Sequence, residues 1–125
     1  MATGPTWTTA SDVISSTTIS AGDTASGSVD LATGNYDAAT FQIDVTDSGS
    51  ASVTVNIYGS NDGGTTVDTT AALSFQTDGS GTQDARTVPV LGHTWIQVEL
   101  VNNDGSNPTG TVHVTERRRQ WSSSV

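Results

Sequence analysis

The chain of 125 residues contains no lysine, so its 13 acidic residues, 11 of them Asp, are opposed by only four Arg. Its formal net charge is -9 at pH 7. Asp is small and strongly hydrated, whereas Lys carries a long apolar stem that favours association when salt competes for water. This composition is typical of a protein that works in brine, where molar salt shortens the Debye length to about 3 Å and screens self-repulsion. The alternative is an ordinary acidic domain from a moderate environment.

Cysteine is also absent, which excludes disulfides, thiolate metal sites and a Cys nucleophile. Only 33% of the residues are hydrophobic, and no run approaches the roughly 20 apolar residues of a membrane span. The first residues lack the basic start and apolar stretch of a signal peptide. We therefore expect synthesis in the cytoplasm without a signal peptide, no membrane partner, and release inside a larger particle or through lysis.

Apolar residues alternate with polar ones at a period of two, and no segment shows the apolar stripe of an amphipathic helix. The clearest alternation predicts a buried core made of Phe41, Ile43, Val45, Val53, Val55, Ile57, Ile96, Val98 and Leu100. Weaker strands are predicted around Val13 and Ile19, Val29 and Leu31, Leu73 and Phe75, Val88 and Val90, and Val112 and Val114. The predicted fold class is all-β, a single antiparallel β-sandwich or jelly-roll-like domain of about eight strands.

Clusters of Gly, Asn, Asp and Ser separate these segments and predict turns. The polar stretch 59–70 is expected to project as a loop. Pro89 cannot donate to a strand ladder, so its strand is expected at a sheet edge or with a bulge. The predicted organisation is an N-terminal arm over 1–11, a β-sandwich over 12–116, and a basic, aromatic C-terminal tail over 117–125.

Residue types that perform catalysis are present without the required spacing. His93 and His113 form none of the usual zinc-binding patterns, and no GxSxG elbow activates a Ser. The carboxylates, such as Asp44 and Asp47, lie in turns or at outward strand positions rather than in a predicted cleft. We therefore predict a protein that is not an enzyme, with no catalytic, cofactor-binding or metal-binding residues.

Calcium is the one ion for which the sequence offers clustered oxygen ligands, in the segments SNDGG from Ser60 and NNDGSN from Asn102. Neither segment completes an EF-hand pattern, which requires acidic oxygens at alternate positions and a terminal Glu. Ordinary Asx turns account for both segments.

The C-terminal segment ERRRQWSSSV holds three of the four Arg residues. The net negative charge opposes binding of nucleic acid. Guanidinium groups pair with carboxylates and an indole supplies an apolar anchor, so Arg117, Arg118, Arg119 and Trp121 are the candidate protein-interaction residues. A disordered end is the alternative. As a tail, this segment is expected to be dispensable for folding but needed for assembly.

Two stretches carry a resemblance to known families, VTVNIYGSNDGG from Val53 and TVPVLGHTWIQVELVNNDG from Thr87. Together they resemble small β-sandwich structural proteins of tailed viruses, in which a strand ending in a Ser-x-Asp-Gly turn precedes an aromatic-bearing strand. Gly59, Ser60, Asp62 and Gly63 also resemble the turn of discoidin-like jelly rolls in carbohydrate-binding modules. The chain departs from that second pattern because no Trp follows the turn.

The viral resemblance and the acidic composition together imply a non-enzymatic virion structural protein of a halophilic archaeal tailed virus. The implied role is capsid decoration or a turret, on the outer virion surface. The implied partners are copies of itself in a cyclic trimer or pentamer and the major capsid protein or other virion proteins. Tail and baseplate components are an alternative. A carbohydrate-binding module for host glycans is another, with Trp7, Tyr36, Tyr58 and Trp95 as its aromatic platform, and a cellular surface-layer domain is a third.

Overall fold

The structure, a computed structural model, describes residues 5–34, 36–46, 52–77, 83–91 and 93–120, and for 83–91 it describes the backbone alone. These ranges contain strands and no helix. The described residues therefore include no helix that is long and apolar enough to cross a membrane. The strands are β1 (Thr6–Trp7), β2 (Ser11–Thr17), β3 (Thr24–Asp30), β4 (Tyr36–Thr46), β5 (Val53–Ser60), β6 (Leu73–Gln76), β7 (Gln83–Leu91), β8 (Trp95–Asn102) and β9 (Val112–Gln120).

The strands form two antiparallel sheets, which confirms the predicted all-β sandwich. In the first sheet β4 lies between β7 and β9, and β1 and β2 both pair with the other edge of β9. In the second sheet the order is β3, β8, β5, β6. All eight predicted strands are present, and β1 is an additional strand too short to show any alternation.

The core lies between the two sheets and is built from the alternating residues. All nine residues predicted from the clearest alternation are buried, each at most 1% exposed. Their strands lie in both sheets, since β4 belongs to the first and β5 and β8 belong to the second. Val112 and Val114 of β9 and Val29 of β3 extend the same cluster. The register predicted for the main strands is therefore confirmed.

One side of the sandwich is closed where β2 passes β3. Gly27 of β3 lies so close to the backbone carbonyl of Val13 that a Cβ at this position would overlap its oxygen. Val13 itself is only partly buried, and Ile14 and Ile19 supply the apolar contacts of this segment. The pairing of β2 with β9 is irregular on both sides of Ile14, which explains why the alternation here is weak.

On the other side of the sandwich the edge strands are β7 and β6. Pro89 lies in β7, opposite Thr40, so its predicted place at a sheet edge is confirmed. Leu73 of β6 pairs with the buried Ile57, yet its side chain remains 38% exposed. The polar loop predicted from Gly59 begins only after Ser60, where β5 ends, and runs to β6.

The described acidic side chains lie mainly at the surface. Asp12, Asp23, Asp30, Asp62 and Asp68 are exposed, whereas Glu116 is buried. Unscreened, these like charges repel one another in the folded state.

We therefore expect the melting temperature to rise between about 0.1 M and 1 M NaCl, because the Debye length falls from about 10 Å to about 3 Å. Thermal denaturation followed by circular dichroism measures this change. The matched control is the double substitution of Asp23→Asn and Asp68→Asn, which should respond less to salt because two exposed charges are gone. A melting temperature that is flat or falls with salt contradicts the halophilic interpretation.

Candidate interaction surface

Strand β9 continues through the arginine run, which corrects the predicted end of the sandwich. Residues 117–120 are part of β9 and pair with β4 from Thr40 back to Tyr36. The N-terminal arm is likewise not separate, because Thr6 pairs with Gln120 and Trp7 pairs with Arg119. The two ends of the described chain therefore lie side by side at one end of the first sheet.

Side chains alternate between the two faces of a strand, so Arg117 and Arg119 lie on one face of β9 and Arg118 lies on the other. Arg118 lies on the inward face, since it pairs with the buried Ala39. Its guanidinium carbon lies 4.6 Å from the centre of the Tyr36 ring. Its Nε is 3.3 Å from Oε1 of the buried Glu116, at ion-pair distance but without hydrogen-bond geometry. Ser11 donates a 2.6 Å hydrogen bond to the same Oε1. Arg118 is thus part of the polar end of the core rather than of the outer surface.

Arg119 faces outward and is bound within the chain. Its Nε and Nη2 donate to the two carboxylate oxygens of Asp37 at 2.9 and 2.8 Å. This paired hydrogen bond raises the pKa of Arg119 above its usual value, and partial desolvation opposes the effect. Because the bidentate geometry fixes both side chains, Arg119 mainly joins β9 to the start of β4.

Arg117 and Trp7 form the most exposed part of this region. Arg117 is exposed, and its Nε donates to the carbonyl of Thr8 at 2.9 Å. Trp7 is 41% exposed and lies opposite Arg119 of β9. Arg117 is two residues before Arg119 on the same strand, so Trp7, Arg117 and Arg119 share the outward face of the sheet. Beside Arg117 is a small cleft of about 180 Å³, lined also by Ala10, Thr40 and Gln42. We call Trp7, Ala10, Thr40, Gln42 and Arg117 the outer patch.

The outer patch combines an exposed Trp with an exposed Arg. Trp and Arg are the residues that most often dominate the binding energy of interfaces. An exposed guanidinium binds carboxylates, and an exposed indole fills an apolar pocket of a partner. Of the four predicted interaction residues, the structure places Arg117 here, turns Arg118 inward and pairs Arg119 with Asp37. Trp121 lies outside the described residues.

Among the other residues that could perform chemistry, His113 and Asp62 have partners within the chain, whereas Asp47 lies outside the described residues. His113 faces outward and its Nε2 lies 2.8 Å from Asp12, and the His93 ring packs against Gly59. Asp62 accepts hydrogen bonds from the backbone of Thr66 and from Ser60, and these lower its pKa. In the described ranges no three His, Asp or Glu side chains form a metal-binding group.

The turn at Asp104 is built in the same way. Its carboxylate accepts from the backbone N–H groups of Ser106 and Asn107 and from the Asn107 amide, and these bonds lower its pKa. The segment from Asn102 therefore forms Asx turns, in which Asn102 and Asp104 accept from backbone N–H groups two residues on. In the segment from Ser60 the Ser60 hydroxyl accepts from the backbone N–H of Gly64, and Asp62 accepts from that of Thr66.

The four aromatic residues predicted as one glycan platform are divided between the sheets. Trp7 and Tyr36 belong to the first sheet, with Tyr36 packed against the core. Tyr58 and Trp95 belong to the second sheet. No surface joins all four.

The sequence analysis named Trp7 only as part of a glycan platform and treated the three arginines as one group. Continuing the alternation of VHVT through ERRRQ would have assigned Arg117 and Arg119 to one face and Arg118 to the other. Nothing in the sequence around Trp7 indicates that it pairs with β9, because β1 is only two residues long.

No protein family model matches this chain, and no curated protein matches it. Among solved structures it is similar to BtGH115A, a family GH115 4-O-methyl-α-glucuronidase with specificity for decorated arabinogalactans. The identity is 14% and the TM-score is 0.43, with 82% of this chain covered. The matched part is 15% of that much longer chain.

Proposed function

We propose that this protein is a non-enzymatic virion structural protein that binds the capsid of a halophilic archaeal tailed virus as a decoration or turret protein. The observation that carries the docking role is the outer patch, where the exposed Trp7 lies beside Arg117. The assignment to such a virion is supported by the resemblance of the two sequence stretches and by the Asp-rich, Lys-free composition.

The charge distribution supports docking through the outer patch. The net charge of -9 repels the acidic surfaces that brine favours in other proteins. Arg117 gives the patch a cation that can meet a carboxylate of the shell. Once Trp7 and Arg117 are covered, the contact excludes salt and is screened less than an exposed pair.

A cyclic homo-oligomer, a trimer or pentamer, fits this mode of binding. Each copy would present the same patch to one of several equivalent sites around a symmetry axis of the shell. Simultaneous attachment of several patches raises the overall affinity without any new type of contact.

The test uses recombinant protein and virus particles from which the native copies have been removed. We expect the combined substitution of Trp7→Ala and Arg117→Ser to reduce rebinding at least about tenfold, equivalent to about 1.4 kcal/mol. Binding is measured by co-sedimentation with the particles in molar salt. The matched control is Leu73→Ala, which removes an exposed apolar side chain of the second sheet.

Two results contradict this function. The first is the absence of the chain from gradient-purified particles examined by mass spectrometry. The second is rebinding of the Trp7→Ala, Arg117→Ser protein as tight as that of the unaltered protein. Unchanged melting temperatures of the variants would show that the loss of binding is local.

A further inference from the structure

The outer face of the second sheet carries a groove that the proposed docking leaves uncovered. Its floor is formed by Tyr58 of β5 and by Gln97 and Glu99 of β8. The loop between β5 and β6 provides the wall through Val67, Asp68 and Thr69. The groove is shallow and open to solvent, with a volume of about 300 Å³.

Hydrogen bonds hold the floor in a fixed arrangement. Gln97 lies directly opposite Tyr58, and the Tyr58 hydroxyl reaches diagonally to Glu99 Oε1 at 3.3 Å. The Tyr58 ring must therefore lean along the sheet towards β8 instead of standing upright. Asn56 donates to the same Glu99 oxygen at 3.1 Å and accepts from Ser74 at 2.7 Å. These bonds connect the floor from β8 to β6 and preorganise it.

The wall is attached to the sheet by backbone hydrogen bonds. The Asp68 N–H donates to the Gly59 carbonyl at 3.0 Å, and the Ala72 N–H donates to the Ile57 carbonyl at 2.8 Å. At its start the loop is anchored by Gly64, which has a φ of 91° and packs against the Trp95 ring. The loop is therefore held against the edge of β5, with Val67, Asp68 and Thr69 beside the floor.

The lining combines apolar surface with a mixed set of hydrogen-bonding groups. Tyr58 and Val67 supply the apolar surface. The carboxylates of Asp68 and Glu99 accept hydrogen bonds, whereas the Gln97 amide and the Thr69 hydroxyl both donate and accept. Partial burial, followed by the charge and hydrogen bond of Glu99, raises the pKa of Tyr58. Its hydroxyl therefore stays protonated at neutral pH.

We infer that this groove binds a neutral saccharide, one or two sugar units in size. A pyranose ring has an apolar face that can pack against Tyr58 and Val67. The hydroxyl groups at its edge can donate hydrogen bonds to the two carboxylates and can both donate to and accept from the Gln97 amide. Two carboxylates in the lining exclude uronic acids and other anionic sugars by repulsion. A purely cationic ligand would leave the donors of Gln97 and Thr69 unused.

The experiment measures binding of neutral disaccharides, namely maltose, cellobiose, lactose and mannobiose, by calorimetry in molar salt. At least one is expected to bind, and Tyr58→Ala and Gln97→Ala are each expected to weaken it at least about tenfold. Gln97 is an outward side chain, so its removal should leave the melting temperature unchanged. The matched control, Trp7→Ala, alters the opposite sheet and should bind normally.

Three results overturn this inference. One is the absence of binding to any of the four sugars, and another is equal binding of digalacturonate. The third is a protein that binds no sugar but binds tetra-arginine at low salt and releases it as salt is raised. That result would identify the groove as a site for cationic peptides. Because the outer patch lies on the other sheet, loss of sugar binding and loss of particle binding are distinguishable.

Discussion

A chain truncated after Glu116 is expected to be much less stable than a chain truncated after Gln120. The first truncation removes the β9 residues that pair with Tyr36, Ala38, Ala39 and Thr40. It also removes both β9 residues that pair with β1. If each of these four paired positions contributes about 1 kcal/mol net through its backbone hydrogen bonds, the expected loss is on the order of 4 kcal/mol.

The Asp37–Arg119 hydrogen bonds would be lost as well. Urea denaturation of the two truncated proteins at the same salt concentration measures the difference. Both lack residues 121–125, so the comparison isolates the contribution of Arg117–Gln120. Equal unfolding midpoints would show that the end of β9 contributes nothing to stability and would restore the interpretation of 117–125 as a dispensable tail.

Ile57→Ala is expected to lower the free energy of unfolding by about 2 to 5 kcal/mol, because it deletes apolar volume from the centre of the core and leaves a cavity. Ile57 is 1% exposed and belongs to the main core cluster. A chain of this size has a total stability of about 5 to 15 kcal/mol, so the variant is expected to be close to unfolding at moderate temperature.

The control for this substitution is its cross-strand partner. Leu73 pairs with Ile57 on the neighbouring strand but is 38% exposed at the sheet edge. Leu73→Ala is expected to cost less than about 1 kcal/mol, since solvent already reaches the side chain. Chemical denaturation of both variants measures the contrast, and an Ile57→Ala variant as stable as Leu73→Ala would contradict the observed packing.

The core was predictable because burial on one sheet face imposes a period of two on the sequence. Phe41, Ile43 and Val45 in one strand and Ile96, Val98 and Leu100 in another obey that period without exception. Leu73 obeys it as well, yet it remains exposed because its strand is at the edge. Position within a sheet depends on pairing between distant segments, which local alternation does not specify.

The end of β9 escaped prediction because its inward residues are polar. Glu116 and Arg118 occupy positions where Val112 and Val114 predict further apolar residues. Glu116 is only 4% exposed, and its Oε1 is satisfied by Ser11 and lies near Arg118. Polar residues at inward positions of a strand therefore look, in sequence, like the end of that strand.

Both candidate surfaces depend on contacts between distant parts of the chain. The outer patch needs Trp7 to meet β9, more than a hundred residues away. The groove needs the loop after β5 to return beside Gln97 and Glu99. Their residue types were visible in the sequence, but their grouping was not.

Because Thr6 pairs with Gln120, the first and last strands of the sandwich end next to each other. The described chain therefore enters and leaves the sandwich at the same place, as in domains that tolerate insertion into a host loop. Because Trp7 pairs with Arg119 at that end of the first sheet, docking through Trp7 and Arg117 would direct the second sheet away from the partner.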